Sequence, residues 1–291
     1  NQLERAFDTT QTGYSYWYET TRRFLTINIT PLNVANKFKE IIERTQASFT
    51  FASATLSVND SLDHFNKSLG LKPKQQLLVE SPFDYENQAV LCMPRYLPET
   101  SDDMMPHSLV KLAKELIKAA KGRTFLLFTS YRVMHLVYEG LSTATEYPVF
   151  MQGQSSKRII LEQFIRHGNA VLMGTASFWE GVDVRGDALS CVLIDKLPFT
   201  SPDDPLLQAR MKDCELTGGE PFEDIQLPQA IINLKQGVGR LIRDHSDKGV
   251  LVICDNRLVT RKYGQTFLQS LPNMRRTRDF QSALQFLENI E

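Results

Sequence analysis

Cysteine is scarce and poorly spaced for metal work. The four thiols, Cys92, Cys191, Cys214 and Cys254, form no C-x-x-C pair, which argues against a zinc ribbon or a local redox couple. Cys191 and Cys254 sit inside apolar runs and read as structural thiols of a reducing compartment. Long apolar runs are also missing: none reaches the roughly 20 residues that a bilayer-spanning helix needs, so no membrane association is expected. Net charge is nearly absent, since 33 Lys and Arg against 34 Asp and Glu leave -1 at pH 7. No global basic field can gather a nucleic acid, and any basic groove must be local. Glycine and proline are not enriched, no segment is of low complexity, and no repeat of fixed period runs through the chain. The five histidines are scattered, and no metal site is expected.

What remains is ordinary globular material. Over 291 residues, 42% are hydrophobic and 23% charged, enough for a large core and more than one domain. The chain opens on Asn1 without an initiator Met, as a fragment or a processed product would.

The aromatic-rich opening alternates in two stretches, Tyr14 to Tyr18 and Phe24 to Ile29, as half-buried strands do. Pro31 opens a helical pattern with Val34, Phe38, Ile41 and Ile42 on one face. Ser48 to Ser57 reads as an apolar strand running into small and hydroxylic residues. It either ends in a plain turn or brings Ser53 and Thr55 near a phosphate. A second unit starts near Ser81, which gives domains of 1–80 and 81–291.

From there, short apolar strands alternate with amphipathic helices. The strands are Val90 to Met93, Phe125 to Phe128, Tyr147 to Met151, Ala170 to Met173, Leu189 to Ile194 and Gly249 to Cys254. Helices are expected over His107 to Ala120, Lys157 to His167, Asp204 to Leu216, Gln226 to Arg243 and Tyr263 to Leu271. The Arg275–Arg278 tail is followed by a last amphipathic helix over Asp279 to Ile290. That alternation predicts an α/β fold, a parallel sheet with helices on both faces. Ligands of such sheets bind at the carboxyl ends of the strands. Three polar loops follow strands there: Thr129-Ser130-Tyr131, Gly174 to Asp183, and Lys196 to Phe199.

Gln236-Gly237-Val238-Gly239-Arg240-Leu241-Ile242-Arg243 carries two arginines three residues apart on an expected helix. Both guanidiniums can leave one face and suit a phosphate chain; the alternative is a surface pair on an amphipathic helix. Glu180 and Asp183 flank a glycine. They could act as an acid–base pair in a self-sufficient hydrolase, face a nucleotide, or form a solvated turn. Trp179 could stack on a base or simply pack. The phosphate-cradling loop G-x-x-x-x-G-K-[ST] is absent, and no Asp-Glu dipeptide offers a Walker B box. The arginines therefore look like the completing half of a phosphate motor.

The ordered pieces Phe51-Ala52-Ser53-Ala54-Thr55-Leu56, Phe128-Thr129-Ser130-Tyr131, Gly174 to Asp183 and Gln236 to Arg243 resemble motifs III, IV, V and VI of superfamily 2 helicases. The wording is most similar to the XPD-like iron–sulfur helicases of the DinG/YoaA branch. Val252 to Arg257 and Tyr263-Gly264 extend the likeness. The resemblance implies an ATP-driven 5′–3′ helicase on single-stranded DNA, acting in repair or replication, with two RecA-like motor domains and ATP with Mg2+ between them. It implies that residues 81–291 are the second motor domain and 1–80 a remnant of the first.

By the same resemblance, Gln236, Arg240 and Arg243 face the nucleotide, with Arg243 as the finger. Gly239, Glu180, Asp183, Ser53 and Thr55 belong to ATP binding and coupling, and Thr129, Ser130, Tyr131 and Phe178 to the DNA side. The Walker boxes and the [4Fe-4S] cysteines of the family are not in these residues, so the chain alone is expected to be inactive. A bacterial cytoplasmic, nucleoid-associated protein is implied. A replication partner, such as the chi subunit of the clamp loader, could dock on the last helix; the competing expectation is that this helix packs on its own core.

Overall fold

The computed structural model describes residues 13–45, 47–175, 178 and 188–290. The chain divides into two compact units, Asn1–Leu78 with Phe199–Ile232, and Val79–Pro198 with Asn233–Glu291. The first unit breaks off at Leu78 and resumes at Phe199. The stretch 199–232, which the sequence pattern leaves in the second unit, clusters with the first. Its helix Pro205–Leu216 lies against the opening strand, where the Ser15 hydroxyl donates to the Pro205 carbonyl at 3.5 Å. No local pattern announces a contact so distant in sequence.

In the first unit, β1 (Tyr14–Thr20) and β2 (Leu25–Pro31) pair antiparallel, with Tyr14 opposite Pro31 and Thr20 opposite Leu25. Thr21 ties the turn, its N–H donating to the Phe24 carbonyl at 2.8 Å and its Oγ1 accepting from Phe24 N–H at 3.0 Å. Pro31 closes β2 rather than opening a helix. The helix runs Ala35–Arg44 instead, after Asn33 Oδ1 accepts from Ala35 N–H at 2.8 Å. A second helix, Asp63–Leu69, stops at Gly70, whose φ of +64° suits glycine. Phe38, Phe49, Phe51 and Phe65 form a ring cluster with centroids 5.8–6.5 Å apart.

The strand expected over Ser48 to Ser57 does not form. A ladder needs a neighbour to take its N–H and C=O groups, and among the described residues no strand pairs with this stretch. Phe49 and Phe51 consequently stay 44% and 41% exposed.

The second unit is built on one sheet. Its strands are β3 (Ala89–Cys92), β4 (Thr124–Leu127), β5 (Val149–Met151), β6 (Val171–Gly174), β7 (Cys191–Ile194), β8 (Gly249–Ile253) and β9 (Arg275–Thr277). They run in the order β5-β6-β4-β7-β8-β3-β9, and every pairing is parallel. The central strands read as continuous apolar runs because both faces are covered. Phe125, Leu126, Leu127, Val192, Leu193, Ile194, Val250, Leu251 and Val252 are all at most 1% exposed. Each such side chain contributes about 1.5–3 kcal/mol on burial.

Helix Met105–Ala119 carries Pro106 in its first turn, and the chain turns away at Gly122, φ +90°. A Cβ at Gly122 would lie 2.6 Å from the Asn169 carbonyl carbon. Helix Lys157–His167 is capped by Ser156 and buries Ile160 and Phe164.

The basic tail is a strand. Arg275 and Thr277 pair with Val90 and Cys92, which makes β9 a short charged sheet edge. Asp279 then caps helix Phe280–Glu288, accepting from Gln281 and Ser282 N–H at 3.3 and 3.1 Å. Ala283, Leu284 and Leu287 of that helix are buried, and it packs against helix Met105–Ala119. Its apolar stripe is used by its own core.

Gly249 starts β8 in a tight place. A Cβ there would lie 2.5 Å from Leu241 Cδ1 and 2.7 Å from the Ser190 carbonyl oxygen. Because one of these neighbours is backbone, Gly249→Ala is expected to destabilise by about 1–3 kcal/mol. Thermal unfolding of the variant checks this; an unchanged midpoint contradicts it.

Candidate functional site

The arginine run sits at the amino end of the sheet. Helix Leu227–Val238 stops well before the expected Arg243. Gly239 N–H still donates to the Lys235 carbonyl at 2.9 Å, but Arg240 and Leu241 donate three residues back, to Gly237 and Val238 at 3.3 and 3.1 Å. The tightened turn ends the regular helix. Gln236 thus lies in the last helical turn, Gly239 and Arg240 in the turn beyond it, and Arg243 in the loop that enters β8. The two arginines do not share a helical face.

Leu241 and Ile242, 2% and 3% exposed, anchor this segment in the core. Asp247 fixes the start of the loop, its Oδ2 accepting from Arg243 N–H at 2.8 Å and Asp244 N–H at 2.9 Å. Burial lowers the pKa of the Arg243 guanidinium, and the Asp247 charge works in the opposite direction.

The carboxyl end of the same sheet holds a second set of polar groups, linked strand to strand. Asp195, after β7, accepts from Thr129 N–H at 3.0 Å, Thr129 Oγ1–H at 3.3 Å and Lys196 N–H at 2.7 Å. Asp255, after β8, accepts from Leu197 N–H at 2.8 Å and is gripped by Arg257, with Nη2 to Oδ2 at 2.7 Å. Gln152, after β5, accepts at Oε1 from Thr175 N–H at 2.6 Å and donates from Nε2 to the Tyr131 hydroxyl at 2.5 Å. The loops after β4, β5, β6, β7 and β8 are therefore tied together. A cavity of about 240 Å³ opens beside them, lined by Ser130, Arg132, Asp195, Lys196, Asp102 and Asp103 among others.

Asp195 is 3% exposed, and burial lifts its carboxyl to about 7 even though Lys196 and the three donors favour its charge. The hydrogen bond to Asp255 raises the Arg257 pKa.

The structure brings Thr129, Ser130 and Tyr131 to this end, and Tyr131 is 54% exposed. Phe178 is 2% exposed. It packs so closely on Gly174 that a Cβ there would lie 2.7 Å from Phe178 Cβ, and Lys157 Nζ stands 5.2 Å from the ring centre. The Phe178 ring is thus packed on Gly174 and buried. Glu180, Asp183 and Trp179 lie outside the described residues. Ser53 and Thr55 are in the first unit, with hydroxyl oxygens 3.4 Å apart.

Sequence reasoning gave no individual role to Asp195, Asp255 or Gln152. The first two had a readable signal, a lone carboxylate closing an apolar run. The cysteines do not fit an iron–sulfur cluster. Cys92, Cys191 and Cys254 are buried in the sheet, and burial pushes their thiols up, Cys92 to about 12, away from the thiolate that iron requires.

A solved XPD helicase superposes on 90% of this chain and 48% of its own, with TM-score 0.65 at 20% identity. An apo XPD structure covers 90% and 54%, with TM-score 0.66 at 20% identity. The fold is RecA-like. The helicase C-terminal domain family matches residues 113–274, and the chain belongs to that family, within the XPD-like DinG/YoaA branch.

The chain is 56% identical over 286 residues to the ATP-dependent DNA helicase YoaA of Escherichia coli K12, covering 98% of this chain and 45% of that protein. Against YoaA of Haemophilus influenzae it is 53% identical, covering 99% and 45%. Against the ATP-dependent helicase DinG of Mycobacterium tuberculosis H37Ra it is 37% identical, covering 84% and 38%. It thus spans less than half the length of these relatives.

Asp195 makes stability depend on pH. An ordinary aspartate titrates near 3.9 when unfolded, and Asp195 near 7 when folded. The folded chain holds a proton that the unfolded chain releases across that window, so this contribution is full at low pH and lost as pH rises through about 7. Asp195→Asn is expected to gain thermal stability relative to the parent between about pH 5 and pH 8. A pH-independent difference between the two melting curves contradicts this.

Proposed function

We propose that this chain is the C-terminal motor part of an ATP-dependent 5′–3′ DNA helicase of repair or replication. In this reading it supplies the arginine side of an ATP site and part of a single-stranded DNA path. The observation that carries the proposal is the Gln236–Arg243 run. It is held at the amino end of a RecA-like sheet, in a sequence that has no phosphate-cradling loop of its own.

ATP with Mg2+ brings the phosphoanhydride bond to be broken, and the residues present fit one side of such a site. Arg243 and Arg240 stabilise the charge that builds on the phosphoryl group during transfer, and Gln236 and Gly239 shape the approach beside them. The Glu180–Asp183 loop and the Ser53/Thr55 hydroxyls couple nucleotide state to movement. Residues 1–80 are read as the remnant of the first motor domain and 81–291 as the second. An iron–sulfur cluster, where the whole protein carries one, takes its ligands from outside this chain.

The DNA path runs over Thr129, Ser130 and Tyr131, next to the cavity that Arg132 and Lys196 line. Phe178 is read with them on the DNA side, as a buried residue that packs on Gly174. The protein works in the bacterial cytoplasm, at the nucleoid. Among the described residues no helix is long and apolar enough to cross a membrane. A replication partner such as the clamp-loader chi subunit would have to use the polar face of the last helix or the β9 edge. Among the described residues, the self-sufficient hydrolase reading gains no metal cluster.

In the whole protein, Arg243→Ala is expected to cut ATP turnover on the order of 10³-fold or more, with little loss of ATP affinity. This chain alone is expected to hydrolyse no ATP above background. Steady-state ATPase assays check both, and robust hydrolysis by the isolated chain would sink the proposal.

A further inference from the structure

Gln88 ends the short helix Tyr85–Gln88, immediately before β3, and is 6% exposed. Its Nε2 lies 2.9 Å from the Asp244 carbonyl oxygen, 3.1 Å from that of His245 and 2.9 Å from that of Asp247. Two amide protons thus serve three carbonyls of one loop, with at least one bond shared. The orientation of the amide is settled by this environment, because the reverse orientation would point Oε1 at three other oxygens. Oε1 itself is buried and, among the described residues, has no hydrogen-bond partner. Only the donor side of the amide is satisfied.

The three carbonyls belong to the loop that directly follows Arg243. The same loop returns through Asp247 Oδ2 to Arg243 N–H and Asp244 N–H. His245 is also held from the Gln88 side of the fold, its ring 5.4 Å from that of Phe83. The backbone of Arg243 is therefore fixed at second hand: Asp247 holds Arg243, and Gln88 holds Asp247. The loop contributes no strand hydrogen bonds of its own until Gly249.

We infer that Gln88 is a positioning residue for Arg243, setting the loop from which that guanidinium reaches a phosphoryl group. This rests on the arginine reading above. An arginine finger has to be placed to within a fraction of an ångström, and a misplacement of about 1 Å can cost on the order of a hundredfold in rate. Gln88 touches neither nucleotide nor reacting atoms, and its effect passes entirely through the 244–247 loop.

The test uses Gln88→Met, which keeps the stem length and removes the donors, with Arg243→Ala beside it, both in the whole protein. Gln88→Met is expected to lower kcat for ATP hydrolysis about tenfold to a hundredfold, with KM for ATP unchanged. In this chain, amide hydrogen exchange at Arg243 and Asp244 is expected to accelerate at least tenfold, while Leu251 and Val252 in β8 keep their protection. If Arg243→Ala is inactive but Gln88→Met turns over normally, the role of Gln88 is overturned and the arginine reading stands. If Arg243→Ala is active, the arginine reading itself fails. Equal loss of protection across β8 makes Gln88 a residue of general stability and overturns the positioning role. Asp247→Ala, which releases the loop from its other anchor, is expected to reproduce the kcat loss; normal turnover in that variant also counts against the inference.

Discussion

A parallel sheet covered on both faces leaves its polar chemistry only two places to go. The side chains of β4, β7 and β8 are wholly buried and apolar but for Thr124, and the backbone groups along them are taken by neighbouring strands. Hydrogen-bonding side chains therefore collect where the ladders stop. At the carboxyl end they tie the loops of adjacent strands, Asp195 to Thr129 and Asp255 to Leu197. At the amino end Gln88 and Asp247 shape the loop of Arg243. Strands of four or five residues set the two ends about 13–17 Å apart. The sheet thus separates the loop of Arg243 from the loop of Thr129 and Ser130.

The two strand-end carboxylates are held by different partners. Asp255 is gripped by the Arg257 guanidinium through charged hydrogen bonds. Asp195 has no such fork. It relies on two backbone donors, a hydroxyl and the nearby Lys196 charge, and desolvation lifts its carboxyl to about 7. One loop is locked by an ion pair, while the loop carrying Thr129 and Ser130 hangs on a group whose charge changes near neutral pH.

Much of the sheet was legible because its strands announce themselves as apolar runs bounded by helices of clear period. β9 was not: a charged edge strand carries the composition of a solvated tail, and only Val90 and Cys92 beside it make it a strand. The stretch around Ser53 and Thr55 misled in the opposite way, apolar enough for a strand but without a ladder partner among the described residues. The end of helix Leu227–Val238 was hidden because Leu241 and Ile242 continue the apolar period past the break. The site was legible in its arginines and strand-end hydroxyls. Gln88 was not, since a lone glutamine before a strand carries no pattern until the fold brings residues 244–247 beside it.

In the proposed helicase, Arg243 acts on charge that develops during phosphoryl transfer rather than on bound nucleotide. Binding of a transition-state mimic, ADP with aluminium fluoride, to the whole protein and to its Arg243→Ala variant tests it most directly. The variant is expected to lose at least about a hundredfold in affinity for the mimic while affinity for ADP alone is little changed. Equal affinity of both proteins for the mimic, or a parallel loss for ADP, would contradict it.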